Sequence, residues 1–575
     1  LLMRFLLQKK FFVFLIVLPI WGNAQFFIQP SYPQDFFQWP VGAVKAIVAN
    51  FGELRPNHYH MGLDCRTEQV VNKPVYAAAD GYIAKVKIEP FGFGRAIYIN
   101  HPGGYTTLYA HLNDFYDPLE KYITQKQYEL KCWAVFLDIP PNIFTVKKGQ
   151  QIAWSGTTGG SQGPHLHFEI RETGTDKVLN PLLFNMPITD KIAPDIIRLA
   201  AYDRSKSTYE QSPVLFSLKK TGNTYSVASG NITVYAEKTS FAISAFDRYT
   251  GSTNHNGIYQ AVMSVDNVPV SGFQLNQISY DETRYLNAHI DYKTKINGGP
   301  YLQHLSRLPG NPAQHYKTDA SNGVVSLEPG QSKIIKIEVW DANNNKSELI
   351  FTITRSNAIK NPQATTAGIL FKPNEINIFE NEAVKFYMPE NALYDSFYFK
   401  YSKINPSVGK PIYQLHNHSV PLQTAFTLKI KDGILFLPTD KMIMKRFWGD
   451  KEEYKKAVAA TEEAEQGWYK AGFKQLGNFQ LIADNEPPEI TPIGFKDGMN
   501  AAKLNRIIFR VKDNTEEIAS FTALLDGNWL RFTNDKAKLF IYNFDEYCPP
   551  GKHELKITAE DLAGNKTEKT YLFTR

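Results

Sequence analysis

Two stretches of this chain repeat one design. "DKIAPDIIRLAAY" at 190–202 and "DNEPPEITPI" at 484–493 each run from a polar linker through proline into a strand. Each leads to a similar close, "IIKIEVWDANNNKSELIFTI" at 334–353 and "ELKITAEDLAGNKTEKTYLF" at 554–573. There, apolar and polar residues alternate on both sides of an Asp-x-x-x-Asn turn. A period of two marks half-buried strands, and two such runs about a short turn read as the last hairpin of a β-sandwich. A chain built this way is confined to β modules in series. Its 575 residues exceed one core and give about three to five domains. Aromatics at 13 % against 21 % charged residues favour β-rich globular modules over long disordered stretches.

The first residues read differently. "LLMRFLLQKK" is basic, "FFVFLIVLPIW" is apolar, and "GNAQ" offers the small residues Gly22 and Ala24 for cleavage. This is the plan of a signal peptide over 1–24, and its apolar run is too short to span a membrane. No later stretch approaches the roughly 20 apolar residues of a membrane helix, so no membrane span is expected after cleavage. Arg4, Lys9 and Lys10 fall in the leader, which leaves +3 of the net charge of +6. A charge that small gives no reason to expect nucleic acid. Three cysteines, Cys65, Cys132 and Cys548, are too few for a disulfide scaffold, although Cys65 and Cys132 could pair.

Histidines point to a site. Six of the 13 lie between positions 58 and 167. In "GPHLHFEI" (163–170), His165 and His167 share one face of a strand, and Leu166 and Phe168 share the other. In "NHYHMGLDCRTEQ", His60 and Asp64 stand an even four residues apart on a segment that Gly62, Pro56 and Asn57 keep from being helical. His60, Asp64 and His167 make two imidazoles and a carboxylate, the donor set of a zinc site with a position left open for water. His111, at the end of the alternating run "YTTLYAHLNDF", and His165 are candidates for proton transfer and charge stabilisation.

In this order, "H-x-x-x-D", "Y-A-H-L" and "H-L-H" resemble the signature of the M23, or LytM-like, zinc metallopeptidases. "NKPVYAAADGYIAKV" and "VKKGQQIAWSGTTGGSQGPHLHFEI" extend the resemblance over 47–182. It implies a small antiparallel β domain with the site in a groove, one Zn²⁺ held by His60, Asp64 and His167, and His111 and His165 as the catalytic histidines. The implied activity is endopeptidase cleavage of peptidoglycan cross-links. Some members place a tyrosine shortly before the first ligand; Tyr59 is adjacent to His60 but no clear equivalent, and His58 matches no required position. About thirty residues, "YDPLEKYITQKQYELKCWAVFLDIPPNIFT", replace the family's short connection. That insertion, at about 116–145, either walls the groove or only extends the sheet.

Other motifs carry less. "TTGGSQGPH" lacks the Lys-Ser/Thr ending of a phosphate loop and leads into a strand, so its glycines are expected to line the groove. "QLHNHSVPL" at 414–422 has no carboxylate at metal spacing and reads as structural. Asp247, Asp341 and Asn345 do not match the spacing of a calcium loop, and turn chemistry accounts for them. "GDKEEYKKAVAATEEAEQGWYKAG" has helix-forming density over 450–466, enough for a short exposed helix, and otherwise reads as a solvated charged excursion without function. The C-terminal module resembles bacterial immunoglobulin-like domains through "VKDNTEEIASFTALLDGNWL" and "LAGN", and 191–356 resembles them more weakly.

The expected fold is mainly β: a signal peptide (1–24), a small antiparallel β-sheet metallopeptidase domain (25–190), then β-sandwich, Ig-like modules. These are 191–358 with long loops, 359–485 of unassigned family, and 486–575. The expected function is an exported zinc metalloendopeptidase of the periplasm or cell surface, acting on peptidoglycan peptides, with the C-terminal β modules open to cell-envelope protein partners. The alternative is a non-catalytic LytM-like regulator of other wall hydrolases.

Overall fold

The computed structural model describes residues 26–358, 367–432, 440–460, 467–537 and 539–575, and it is mainly β. The leader read at 1–24 lies outside the described residues. The N-terminal domain is built on an antiparallel sheet in the order Ile47–Ala49, Leu63–Arg66, His165–Glu172, Tyr105–Ala110, Arg95–His101, Gly81–Ile88, Val135–Asp138. His165–Glu172 lies inside this sheet and alternates strictly. Leu166, Phe168 and Ile170 are fully buried with Leu63, Ile97 and Ile99. Each such side chain stabilises the fold by about 1.5–3 kcal/mol. The same period leaves His165, His167, Glu169 and Arg171 on the opposite face. Asp64 is the direct cross-strand partner of His167, so it shares that face. Gly62 permits the close approach: a Cβ there would lie 2.4 Å from the Phe168 carbonyl and 3.0 Å from the His167 ring.

The insertion forms a helix, Asp117–Leu130, and the edge strand Val135–Asp138. Pro118 in its first turn suits helix initiation, and Leu119 and Ile123 bury its inner face. The strand pairs with Gly81–Ile88 at the sheet edge remote from Asp64. The insertion therefore extends the sheet and does not wall the groove. Cys65 and Cys548 are buried and Cys132 is exposed, and all three are unbonded.

The following module is packed onto this domain rather than tethered to it. Phe51, Tyr59 and Met61, which surround His60, lie in the core of the second module with Phe273 and Leu275. Val178–Leu179 pairs with Gln277–Ile278, and Tyr249 returns the contact by joining the first core. Tyr59 points away from the site, with its hydroxyl 3.3 Å from His315 Nε2. Further along, two five-stranded sheets enclose a core that includes Phe386, Leu428 and Phe479, and a last core centres on Phe509, Leu555 and Ile557. Both expected closing hairpins form, Ser332–Trp340 with Lys346–Arg355 and Lys552–Asp561 with Lys566–Thr574.

The helix that composition allowed does not form. Instead of a helix from 450, Lys451–Lys456 is a strand paired with Met442–Trp448, and Val458–Ala459 pairs with Trp468–Gln475; 461–466 lies outside the described residues. Gly449 at φ 57° opens the tight turn. Cross-strand pairs such as Lys445 with Glu452 then outweigh helix propensity, which is a weak prior against tertiary pairing. His416 and His418 rest against Phe397 and Trp448, in line with a structural role.

Candidate active site

His60, Asp64 and His167 converge. His60 Nε2 lies 2.9 Å from Asp64 Oδ1 and 3.0 Å from His167 Nδ1, and His167 Nδ1 lies 3.0 Å from Asp64 Oδ1. The outer ring atoms fix both tautomers. His60 Nδ1 faces the Asn50 carbonyl at 2.7 Å and His167 Nε2 faces the Glu169 carboxylate at 2.9 Å, so each of these nitrogens donates. The inward atoms, His60 Nε2 and His167 Nδ1, are then lone-pair sites aimed at a carboxylate oxygen. Three acceptors this close, all buried, share a cation: either a proton on His167 or a metal ion that displaces it. The mixed N/O set suits Zn²⁺, whose ligands stand about 2.0–2.2 Å from the ion. The other Asp64 oxygen accepts from Arg55 Nη2 at 2.7 Å, which leaves Oδ1 to the centre.

Charges around the site follow from burial and neighbours. Burial lowers His60 and keeps it neutral against the pull of Asp64. Burial would also lower His167, but hydrogen bonds to Asp64 and Glu169 push it up to about 9. Asp64 is held well below the usual carboxylate range, because His60, His165 and His167 outweigh its desolvation. Glu169 has no exposed surface. Arg171 and His167 overcome its burial and bring it down to about 2, and it also accepts from Arg171 Nε at 2.7 Å and from the Tyr280 hydroxyl of the second module.

His111 and His165 stand beside this centre, with ring centroids 4.8 Å apart. His165 Nε2 is 3.4 Å from Asp64 Oδ1. Both rings are held the same way by the glycine-rich loop: His111 Nδ1 donates to the Thr158 carbonyl and His165 Nδ1 to the Gly163 carbonyl, each at 2.8 Å. Both Nε2 atoms are thereby left as proton acceptors. Burial, then the neighbouring His167 and His165, pushes His111 down to about 3. His111 also has φ 60°, a left-handed conformation that costs about 1–3 kcal/mol and that clusters at functional sites. A groove of about 850 Å³ opens here, lined by Arg55, Asp64, His111, Ser161, His165 and Asn254.

All five site residues read from the sequence thus meet in one place; His58 stays outside, its ring turned to the Pro56 carbonyl. Glu169 escaped that reading although it continues the 165, 167, 169 period. Arg55, Tyr280 and the two loop carbonyls had no sequence signal. The last module also reaches the site. Asp535 Oδ1 accepts from Gly159 N at 2.8 Å, Lys536 Nζ donates to the Ser161 carbonyl at 2.8 Å, and Lys536 N donates to the Pro90 carbonyl at 2.7 Å. Tyr128 of the insertion helix stacks on Tyr547, with centroids 3.5 Å apart.

Residues 58–128 and 144–181 match the model of peptidase family M23. The N-terminal domain belongs to this family. The interruption of the match at 129–143 falls within the insertion. Residues 369–484 match a Zu5-like domain, which supplies a family for the third module. Among curated proteins, the M23 domain is similar to an uncharacterized metalloprotease of Haemophilus influenzae, 36 % identical over 24 % of this chain and 23 % of that one. It is similar to the DD-carboxypeptidase/endopeptidase Mpg of Neisseria meningitidis serogroup B, 34 % identical over 25 % and 26 %. The peptidoglycan DD-endopeptidase ShyB of Vibrio cholerae is 26 % identical over 32 % of this chain and 40 % of its own. The chain thus spans about a quarter of the first two relatives' length.

Proposed function

We propose that this chain is an exported zinc metalloendopeptidase that hydrolyses peptide cross-links of peptidoglycan. One observation carries the reading: three lone-pair donors converge beside two backbone-anchored imidazoles at the floor of an open groove. His60, Asp64 and His167 would hold the ion. Bound there, Zn²⁺ supplies Lewis acidity, acidifying water and polarising the scissile carbonyl. His165 Nε2 takes up a proton from the attacking water and returns it to the leaving amine, while its Nδ1–H stays on the Gly163 carbonyl. His111 Nε2, left as an acceptor because its Nδ1–H is held by the Thr158 carbonyl, accepts from the second hydrogen of the attacking water and orients it toward the scissile carbonyl. Glu169 orients His167, and Arg55 orients Asp64. Peptidoglycan as substrate is supported by the name of the Vibrio relative, a peptidoglycan DD-endopeptidase, and export by the leader read at 1–24. Retention of all five residues favours catalysis over a regulator that has lost its ligands.

The test is digestion of purified peptidoglycan by the full chain without its leader, zinc-loaded or chelated, with mass analysis of the fragments. Metal-dependent release of peptides, lowered about 10²–10⁴-fold in His165→Ala at unchanged zinc content, is the expected result. Zinc-loaded protein that releases nothing, or a variant that releases as much, would overturn the reading.

A further inference from the structure

The repeated design that opens and closes the second and last modules does more than cap turns. In the second module Asp190, Asp247 and Asp341 bring carboxylate oxygens within 4.8 Å of one another; in the last, Asp484, Asp513 and Asp561 do the same. The two triads are built alike. Asp190 and Asp484 sit in the linkers, each capping the backbone N–H two residues on, Ile192 at 3.1 Å and Glu486 at 3.1 Å. Asp341 and Asp561 sit at the closing turns. Each accepts from the backbone N–H of its Asn four residues on, Asn345 and Asn565, at 2.8 Å, and from that Asn's side chain at 2.7 and 2.8 Å.

Turn chemistry accounts for those bonds but not for the oxygens left over. Asp247 has no exposed surface, and neither of its carboxylate oxygens has a hydrogen-bond partner. Asp190 Oδ2 is buried and unpartnered in the first triad, and Asp484 Oδ2 and Asp513 Oδ1 are in the second. Among the described residues no ion pair reaches any of the six. A buried carboxylate without a partner costs several kcal/mol; Asp247 is one, while in the second triad Asp513 is half-buried and its other oxygen accepts from Thr515 N and Oγ1. Burial, then the facing Asp341 and Asp190, pushes Asp247 up to about 8.

We propose that each triad is a calcium site, so that the chain takes two Ca²⁺ ions, one at each of these two module entries. Every donor is a hard oxygen, with no imidazole or thiolate, which disfavours Zn²⁺. Ca²⁺ binds oxygens at about 2.3–2.6 Å, so two ligands of one such ion stand no more than about 5.2 Å apart, and the oxygens of each triad fall within that limit. Mg²⁺ keeps several waters and suits a buried set of stripped oxygens less well. The ligands come from three separate places in each module, a linker and two strand ends, so the spacing of a single calcium loop is not the relevant pattern. An ion at each site ties the incoming linker to the module that follows it.

The experiment is calorimetric titration of the full chain, with its His60–Asp64–His167 centre filled with Zn²⁺ beforehand, by CaCl₂ and separately by MgCl₂. Asp247→Asn removes charge at the first triad with the side chain's shape kept; Asp513→Asn does the same at the second, where the amide oxygen can still accept from Thr515 N and Oγ1. Two ions per chain are expected, with Kd on the order of 10⁻⁴–10⁻³ M as in extracellular modules, falling to one in either variant and none in the double variant. The thermal midpoint should rise with CaCl₂ in the native chain and stay put in the double variant. Natively folded protein that takes up no Ca²⁺ at about 10 mM, an order above that range, would overturn the proposal. So would a double variant that binds like the native chain, or equal uptake of Mg²⁺. A single ion would overturn it for the triad whose variant leaves binding unchanged.

Discussion

Glu169→Gln tests whether the metal centre is held from behind. The substitution keeps shape and volume but removes the charge that accepts from His167 Nε2, Arg171 Nε and the Tyr280 hydroxyl. Its fall from 4.5 to about 2 corresponds to about 3 kcal/mol in favour of the ionised form. That agrees with about 3–5 kcal/mol for breaking one side of a buried ion pair. Because the folded-state value is depressed, this stability is present above about pH 4.5 and is lost as pH falls through about 2. At neutral pH the variant should lose roughly that amount. With His167 no longer oriented by a carboxylate, zinc affinity should fall about 10–100-fold. Competition against a chromophoric chelator measures the affinity, and far-ultraviolet circular dichroism confirms the fold. A natively folded variant whose zinc Kd lies within twofold of the native value would refute the argument that the buried carboxylate positions the ligand.

Zinc binding should release one proton per chain near pH 7, since His60 is already neutral while His167 at about 9 must give up its proton; calorimetry in buffers of different ionisation enthalpy counts it, and zero release would show that His167 is already neutral before the ion binds. Affinity should therefore weaken steadily as pH is lowered. Asp535→Ala with Lys536→Ala removes two side-chain hydrogen bonds to the loop that holds the His111 and His165 imidazoles, so amide exchange over 157–163 should quicken about tenfold, for about 1.4 kcal/mol. Unchanged exchange there would show that the last module does not brace the loop. A thiol reagent should label Cys132 alone in the native chain, because burial pushes Cys65 well up and Cys548 to about 11; labelling of all three sites should require denaturant.

The site was legible because its chemistry follows local periods. His165 and His167 share a face by alternation, and His60 and Asp64 meet them through an even spacing on an extended segment. Glu169 obeys the same rule and could have been found by it. Arg55, Tyr280, Asp535 and Lys536 join the site through contacts between distant parts of the chain, for which no local pattern exists. The helix at Asp117–Leu130 did announce itself, by Asp-Pro at its start and Leu119 and Ile123 four apart on its inner face, within a stretch read only as an insertion. The charged stretch from 450 failed in the other direction: its composition favours a helix, but the turn at Gly449 and a partner strand decided otherwise. The acidic triads join residues dozens of positions apart, so each aspartate looked like an ordinary turn former.

The contact of the last module with the glycine-rich loop makes the chain a closed frame. Asp535 and Lys536 grip Gly159 and Ser161, while Tyr547 rests on the insertion helix of the same domain. A pull on the C-terminal end therefore loads these noncovalent contacts before it stretches the covalent path through the two intervening modules. The first part to feel such a load is the loop whose carbonyls hold His111 and His165.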